Sequence, residues 1–256
     1  MQQPIFEKRD RARERLEEII TAIVDERRAS GKEYNDALAT FMQGTYADGT
    51  YLNGTEITGL VIATIFAGHH TSSGTATWML TELARHPKET AEIIDELNDI
   101  YQDGNELSHN ALREMPKMEA FVNEVLRMHP PLVVLMRRVM NDIEYKDYLI
   151  PAGKTVAISI FGSHRNPEFF PNPDVFDFTR EAPENLFAYI PFGGGRHKCG
   201  GNAFALLQLK AIFSALLRHY TFELADKSDN YVDDLSGMVL RPQSPCRLRY
   251  KKRKPA

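Results

Sequence analysis

Apolar residues recur at helical spacing through much of the first half of the chain. Stretches with this period predict helices, which fall at 4–29, 35–43, 55–85, 88–101, 108–114, 117–128 and 203–219. Short β-branched runs predict strands, which fall at 132–140, 143–145, 148–150, 155–160, 221–224 and 246–250. Because helices dominate and the strands are short, we predict an α+β fold that is mainly α.

The helix predicted at 55–85 changes character along its length. Residues 57–67 are apolar on nearly every side, which predicts a helix buried all round. Residues 68–74 read G-H-H-T-S-S-G, and this sequence is poor helix material. The two glycines predict a bulge or the close approach of a ligand at this point.

Composition narrows the function classes. The chain has 256 residues, 43% hydrophobic and 26% charged, which is typical of a globular protein and excludes a disordered one. The net charge of −4 gives no indication of a basic nucleic-acid-binding surface. No apolar run is long enough to span a membrane. Two cysteines, Cys199 and Cys246, cannot make a disulfide-dense secreted scaffold, which favours a reducing compartment.

The most informative segment is 192–201, which reads F-G-G-G-R-H-K-C-G-G. Its cysteine, Cys199, ends a glycine-rich loop and precedes an apolar helix, so free backbone N–H groups and neighbouring basic residues favour the thiolate. Glycines let a flat, bulky group approach, and a thiolate held in this way can ligate haem iron. The alternative is a structural cysteine at a helix start. Cys246 is interpreted as a small core or edge residue.

Glu124 and Arg127 place opposite charges at i and i+3 on one predicted helix face. Such a pair is usually solvated and worth a few tenths of a kcal/mol. Here the flanking residues are apolar, and a buried pair would need further hydrogen bonds to offset its desolvation.

These motifs together resemble those of the cytochrome P450 superfamily, the haem-thiolate monooxygenases. The 192–201 loop is similar to the family's cysteine-ligand loop, although Gly200 stands where an aliphatic residue is usual. The resemblance implies haem b as cofactor, with the Cys199 thiolate as the axial iron ligand. It also implies that Phe192 and Gly195 belong to the cofactor site, and that Arg137 and His197 contact haem propionates.

In the same family, a Glu-x-x-Arg helix meets a second arginine from a Phe-x-Pro-x-Arg segment. Residues 176–180 match that segment, except that Phe178 replaces the proline. The resemblance therefore implies that Glu124, Arg127 and Arg180 form a structural triad, with a role in folding and none in the chemistry.

The 67–71 segment, A-G-H-H-T, resembles the family's (Ala/Gly)-Gly-x-(Asp/Glu)-Thr, which supports proton delivery to dioxygen. Thr71 matches the threonine, and His70 replaces the acid with an imidazole that can shuttle protons near neutral pH. A metal site at His69 and His70 is disfavoured, since adjacent helical positions point apart. The remaining alternative is a pair of exposed or hydrogen-bonded histidines in a kink.

The histidine is typical of the sterol 14α-demethylase branch, and similarity to its bacterial members runs over about 5–249. The resemblance implies removal of a sterol 14α-methyl group as formate in successive oxygenations. The reaction would use O2 and electrons from NADPH through a ferredoxin or flavoprotein. It also implies a sterol site lined by apolar side chains and one histidine, namely Phe66, Ala67, His70, Leu132, Val134, Leu135, Met136, Met238 and Val239.

Length conflicts with this assignment, because the family's fold normally begins with roughly 200 further residues. We therefore expect residues 1–256 to be the single C-terminal haem-binding portion of a cytochrome P450 domain without its N-terminal part. The bacterial resemblance implies a cytoplasmic protein, and a membrane anchor in the missing part stays open. Two alternatives also stay open: a monooxygenase for another lipid or terpenoid, and an inactive or haem-binding-only fragment.

Overall fold

The computed structural model describes residues 4–102, 106–225 and 231–253. Its helices are α1 (Pro4–Ser30), α2 (Ala37–Met42), α3 (Gly54–Arg85), α4 (Pro87–Ile100), α5 (His109–Arg113), α6 (Pro116–Met128), α7 (Ile160–Ser163) and α8 (Asn202–His219). Its strands are β1 (Val134–Arg138), β2 (Ile143–Tyr145), β3 (Tyr148–Ile150), β4 (Thr155–Ser159), β5 (Tyr220–Leu224), β6 (Asp233–Asp234), β7 (Arg241–Pro242) and β8 (Leu248–Lys252). The predicted α+β, mainly α class is confirmed.

The chain divides into two compact units, Met1–His69 and His70–Ala256, with the boundary inside α3. In the first unit, α3 begins with a reciprocal cap. The backbone N–H of Glu56 donates to Asn53 Oδ1 at 3.0 Å, and the backbone N–H of Asn53 donates to Glu56 Oε2 at 2.8 Å. Two of the orphan donors of the first turn are thereby satisfied, which fixes where the helix begins.

The predicted burial of 57–67 on all sides is wrong for this chain. Ile57 and Thr58 are buried, but residues 63–67 are exposed, with Ile65 and Phe66 at 65% and 52%. Apolar periodicity records what a helix can bury, whereas burial also needs elements that pack on every face.

The bulge expected at 68–74 is absent, because α3 is α-helical throughout. Hydroxyl side chains bond back to the preceding turn in this stretch. Thr75 Oγ1 donates to the Thr71 carbonyl at 2.9 Å, and Thr77 Oγ1 donates to the Ser73 carbonyl at 2.8 Å. Each glycine costs a helix about 1 kcal/mol, which a helix of 32 residues tolerates when its flanks are strongly helical.

The core of the second unit lies between α4, α6, α8 and the last turns of α3. Its fully buried members are large apolar side chains, and they include Trp78, Met79, Leu83, Ile93, Leu97, Phe121, Val122, Val125 and Phe213. These positions recur at i, i+3 and i+4 in the sequence of each helix, which explains why the helical predictions there agree with the structure to within a residue or two.

The described residues hold four two-stranded antiparallel sheets, which pair β1 with β4, β2 with β3, β5 with β8, and β6 with β7. The strand predicted at 132–140 is shorter, since β1 extends only as far as it pairs with β4, from Val134 opposite Ser159 to Arg138 opposite Thr155. The strand predicted at 246–250 is displaced, because β8 begins at Leu248 and Cys246 lies in irregular chain before it. The sequence patterns did not predict α7, β6 or β7, which are too short to show a period.

Among the described residues, no helix is both long and apolar enough to cross a bilayer.

Candidate functional site

The loop that carries Cys199 folds back on itself before α8. Gly193 and Gly195 have φ of 71° and 69°, a conformation that other residues rarely adopt. The backbone N–H of Cys199 donates to the Phe192 carbonyl at 2.9 Å, and the backbone N–H of Lys198 donates to the Gly195 carbonyl at 3.1 Å. The loop is thus closed by its own backbone, and it leaves the Cys199 side chain exposed.

The outer face of this loop has room for a flat group. A methyl group built on Gly195 or Gly200 would meet no heavy atom within 4 Å. In the part of the chain that the structure describes, no group of three or more His, Cys, Asp or Glu side chains could hold a metal ion. Haem iron carries its porphyrin ligands with it, so the chain needs to supply only the thiolate. An exposed thiol on an open, glycine-rich face fits haem.

Strand β1 divides the residues predicted on it between two faces. Val134 and Met136 are exposed on one face, while Leu135 and Arg137 are half-buried on the other. A methyl group built on Gly193 would lie 3.6 Å from Leu135 Cδ1, so the second face lies against the cysteine loop. Arg137 Nη1 donates to the Met136 carbonyl at 2.9 Å.

A pocket of about 310 Å³ brings three of the predicted sterol-site residues together: His70 from α3, and Met238 and Val239 from the turn between β6 and β7. The pocket has further lining residues that the sequence interpretation did not include, which are Ser73, Gly74, Thr77, Gly237 and Arg241. Its walls therefore combine a helix face that carries hydroxyl and imidazole groups with an apolar turn.

Gly74 explains how closely that turn approaches α3. A methyl group built on it would lie 2.9 Å from the Leu240 carbonyl oxygen and 3.2 Å from Val239 Cγ1. The turn is also anchored from behind, because the backbone N–H of Leu240 donates to the Pro131 carbonyl at 2.9 Å. The glycine was expected to mark a bulge or a bound ligand; what lies against it is the backbone of the turn.

The turn is closed by Asp234 at its base. The backbone N–H of Ser236 donates to Asp234 Oδ1 at 2.9 Å, and Arg241 Nε pairs with Asp234 Oδ2 at 3.2 Å. Hydrogen bonds from Ser236, together with Arg241, hold the pKa of the Asp234 carboxyl below its usual range. The carboxylate thus stays ionised and keeps the turn closed.

The remaining predicted residues are more dispersed. Phe66 and Ala67 are exposed positions of α3 that belong to the first unit, and Thr71 is half-buried beside His70 in the second. Leu132 is exposed just before β1. In the cysteine loop, Phe192 packs against the core cluster, and His197 is exposed at the end of a short 3₁₀ turn (Gly195–His197).

The three residues of the predicted triad meet in the second unit. Arg127 donates from Nε to Glu124 Oε2 and from Nη2 to Glu124 Oε1, both at 2.8 Å, while Arg180 Nε donates to Oε1 at 3.2 Å. The backbone N–H of Asp177 adds a bond to the same oxygen at 2.9 Å. The side chains of Arg127 and Glu124 are 2% and 4% exposed, so this is a buried ion pair.

The two guanidinium groups use their remaining N–H donors on backbone carbonyls. Arg127 bonds the carbonyls of His164 at 3.0 Å, Pro173 at 2.8 Å and Val175 at 3.2 Å. Arg180 bonds three carbonyls of the same segment, those of Pro171, Asn172 and Val175. These are the further hydrogen bonds that a buried pair needs to offset desolvation.

Comparison with known proteins identifies the family. The family model described as Cytochrome P450 matches residues 1–250. The chain belongs to the cytochrome P450 family.

Individual relatives fit the same family. Sterol 14alpha-demethylase of Mycolicibacterium vanbaalenii is 48% identical over 200 residues, which cover 76% of this chain and 44% of that protein. Sterol 14-demethylase of Arabidopsis thaliana is 40% identical over 263 residues, which cover 98% of this chain and 54% of that protein. The chain thus spans about half the length of the curated relatives it matches.

Solved cytochromes P450 have the same fold. The structure of retinoic acid bound cyanobacterial CYP120A1 superposes with a TM-score of 0.86 at 26% identity, covering 96% of this chain and 57% of that one.

The sequence interpretation missed the residues that hold the site together. Asp234 and Arg241 lie in strands too short to predict, Ser236 lies in the turn between them, and His164 follows a single helical turn. None of these carries a motif, and the partners of His164 lie 26 and 37 residues away in sequence. One signal was available in Gly74, which was singled out for a close approach but without the Leu240 backbone as its neighbour.

Proposed function

We propose that this chain provides the haem-thiolate and sterol-binding parts of a sterol 14α-demethylase. The observation that carries the proposal is that His70, Met238 and Val239 share one pocket, in a chain 48% identical to a sterol 14alpha-demethylase. The reaction is the oxidative removal of the 14α-methyl group, with O2 as oxidant and electrons supplied from NADPH by a ferredoxin or flavoprotein.

The cofactor is held through the cysteine loop. Cys199 Sγ would ligate the haem iron, and the loop's own backbone bonds fix the position of this residue. Phe192 supports the loop from the core side, and Gly195 keeps its outer face clear. Arg137 supplies a guanidinium group and His197 a ring N–H donor for propionates. When bound, haem supplies activation of dioxygen for insertion of oxygen into a C–H bond.

Proton handling falls to two neighbouring residues of α3. Thr71 Oγ1 holds a proton as a hydroxyl donor, and the His70 imidazole can accept and donate a proton through its two ring nitrogens. His70 is exposed and lines the pocket, so its ring has access to both water and the bound substrate.

The substrate site is mostly apolar, as a sterol requires. Met238 and Val239 pack against the sterol skeleton and exclude water, and the exposed face of β1 with Val134 and Met136 continues the apolar lining. Leu132 and Leu135, with Phe66 and Ala67 of α3, complete the proposed set. The hydroxyl groups of Ser73 and Thr77 orient polar atoms of the ligand.

A reduced, carbon-monoxide-bound absorption spectrum of the haem-reconstituted chain tests the cofactor site. We expect the Soret band of a thiolate-ligated haem in the unchanged chain and in Cys246→Ser, and its loss in Cys199→Ser. A chain that takes up haem but never gives this band would favour a haem-binding-only protein and contradict the enzyme assignment.

A titration with sterols tests the substrate class. Lanosterol or 24-methylenedihydrolanosterol should give a type I spectral shift that weakens at least about tenfold when Met238→Asp places a charge in the apolar turn. An unrelated steroid of similar size serves as the control ligand. Equal shifts with both ligands would instead favour a monooxygenase for another lipid or terpenoid.

A further inference from the structure

His164 follows α7 and is completely buried, at 0% exposure. Its Nε2 lies 2.9 Å from the backbone nitrogen of Ile190, and its Nδ1 lies 3.2 Å from the Arg127 carbonyl oxygen. A backbone N–H can only donate and a carbonyl can only accept, so Nε2 must be the unprotonated acceptor and Nδ1 must carry the proton. These two partners fix the imidazole as the neutral Nδ1–H tautomer.

This imidazole joins two parts of the site that are otherwise far apart in sequence. Towards the buried ion pair, the connection is reciprocal, because Arg127 Nη1 donates back to the His164 carbonyl at 3.0 Å. Towards the cysteine loop, Ile190 begins a turn. The Ile190 carbonyl accepts from the backbone N–H of Gly193 at 2.9 Å. The next hydrogen bond along the chain runs from the Cys199 N–H to the Phe192 carbonyl and closes the cysteine loop.

The chain around Ile190 is also held by the neighbours of His164. Ser163 Oγ lies 3.3 Å from the Phe187 carbonyl and 3.2 Å from the Ala188 carbonyl. The Tyr189 ring stacks on His164 at 5.1 Å, and its hydroxyl donates to the Asn123 carbonyl at 2.9 Å. The segment before the cysteine loop is therefore held by hydrogen bonds and ring stacking from α6 and from the end of α7.

We propose that His164 is a positioning residue for the cysteine loop. By bonding both Arg127 and Ile190, His164 fixes Ile190 relative to the Glu124–Arg127 pair and thereby sets where Cys199 lies. The inference rests on the proposed function, since the position of Cys199 matters for catalysis only if its sulfur ligates haem. Burial, reinforced by the nearby Arg127 guanidinium, lowers the pKa of His164 to about 4, so the imidazole keeps the required neutral form at physiological pH.

Two variants of His164 separate its two hydrogen bonds. The carboxamide of His164→Gln reaches the position of Nε2 and can accept from the Ile190 N–H. The shorter carboxamide of His164→Asn occupies the position of Nδ1, so it can donate to the Arg127 carbonyl but leaves the Ile190 N–H unpaired. Tyr189→Phe is the matched control, because it removes a hydrogen bond of the same segment but keeps the ring that stacks on His164.

Hydrogen exchange of the haem-free full chain tests the proposal without relying on activity. We expect His164→Asn to speed exchange of the Gly193 and Cys199 amides by roughly tenfold or more, as the loss of a buried hydrogen bond requires. The amides in the middle of α8 should stay as protected as in the unchanged chain. We expect His164→Gln and Tyr189→Phe to keep the Gly193 and Cys199 amides within about threefold of the unchanged chain.

The rate at which a maleimide modifies the Cys199 thiol, measured in a Cys246→Ser background, gives a second readout. This rate should rise in His164→Asn and stay near that of the unchanged chain in His164→Gln and Tyr189→Phe. If His164→Asn does not fold, wild-type exchange and thiol rates in His164→Gln still support the proposal. Fast exchange at Gly193 and Cys199 in a folded His164→Gln would overturn it, as would unchanged exchange in His164→Asn. Because no haem is present, these outcomes are independent of the Cys199→Ser spectrum, which decides the proposed function.

Discussion

The buried ion pair and the cysteine loop lie at the two ends of the His164 connection, and they are built in opposite ways. Glu124 and Arg127 are almost fully buried, and each charged atom is paired with a side chain or a backbone group. The loop around Cys199 is exposed and is closed by a few bonds of its own backbone. The proposed haem ligand thus stands on an open loop, whereas the polar cluster at the other end of the connection is closed to water.

Removal of Arg127 is the largest test of this contrast. Arg127→Ala leaves the Glu124 carboxylate buried with one cation fewer, which should lower the free energy of unfolding by roughly 3–5 kcal/mol in urea titrations. Arg15→Ala is the control, because the Arg15–Glu18 pair is exposed and should change the same quantity by less than about 0.5 kcal/mol. Similar losses in the two variants would contradict the structural role of the buried pair.

The pH dependence of unfolding tests the connection between the two regions. The pKa of His164 is lowered to about 4 from an ordinary 6.5, because burial and the Arg127 and Arg165 guanidinium groups disfavour the imidazolium. As the pH falls, the unfolded chain therefore takes up this proton first. The stability that the neutral imidazole contributes is complete above pH 6.5 and is lost progressively between pH 6.5 and 4.

The expected loss from this one group is about 2 kcal/mol at pH 5 relative to pH 7. Urea unfolding at the two pH values measures it, and His164→Gln should reduce the difference by about that amount, since a carboxamide does not titrate. An identical pH dependence in the unchanged chain and in His164→Gln would show that the imidazole is not protected in the folded chain.

The turn on α3 allows a test of intermediate size. Gly74→Ala would place a methyl group 2.9 Å from the Leu240 carbonyl, so the turn has to move, at a cost of roughly 1–3 kcal/mol in unfolding free energy. Sterol affinity should fall with it, because Met238 and Val239 move too. Gly59→Ala on the same helix gains the same helix propensity and meets no atom within 4 Å, so it should leave sterol affinity unchanged. Equal affinities in the two variants would contradict the proposed position of the turn.

The smallest effect on stability is expected in the loop itself. Cys199→Ser removes an exposed thiol without disturbing the backbone bond of that residue, so the unfolding free energy should change by less than about 0.5 kcal/mol. The same variant should lose the thiolate-type carbon monoxide spectrum completely. A large loss of stability would mean that the sulfur takes part in the packing of the loop.

Sequence patterns predicted the parts of this fold that repeat. Helices such as α6 and α8 show their period over several turns, and the Glu124–Arg127 spacing is local, so both could be read from neighbouring residues. The contacts that complete the site have no such signal. His164 meets Ile190, and Gly74 meets Leu240, only because the whole unit folds.

The two wrong expectations about α3 have one origin. Residue preferences describe what a segment favours alone, whereas its packing decides what it does. Residues 63–67 stay exposed although the stretch they end is apolar, and the glycine-flanked 68–74 stretch stays helical because the helix around it is long.

The two arginines of the buried cluster bind main-chain oxygens of residues 164–175, and every residue type carries such an oxygen. Most side-chain substitutions in this segment should therefore leave the hydrogen bonds of the two arginines unchanged. A single inserted or deleted residue, in contrast, would move the whole row of oxygens out of register. The segment is constrained in its length far more than in its composition, because its number of residues fixes the spacing between the end of α7 and Arg180.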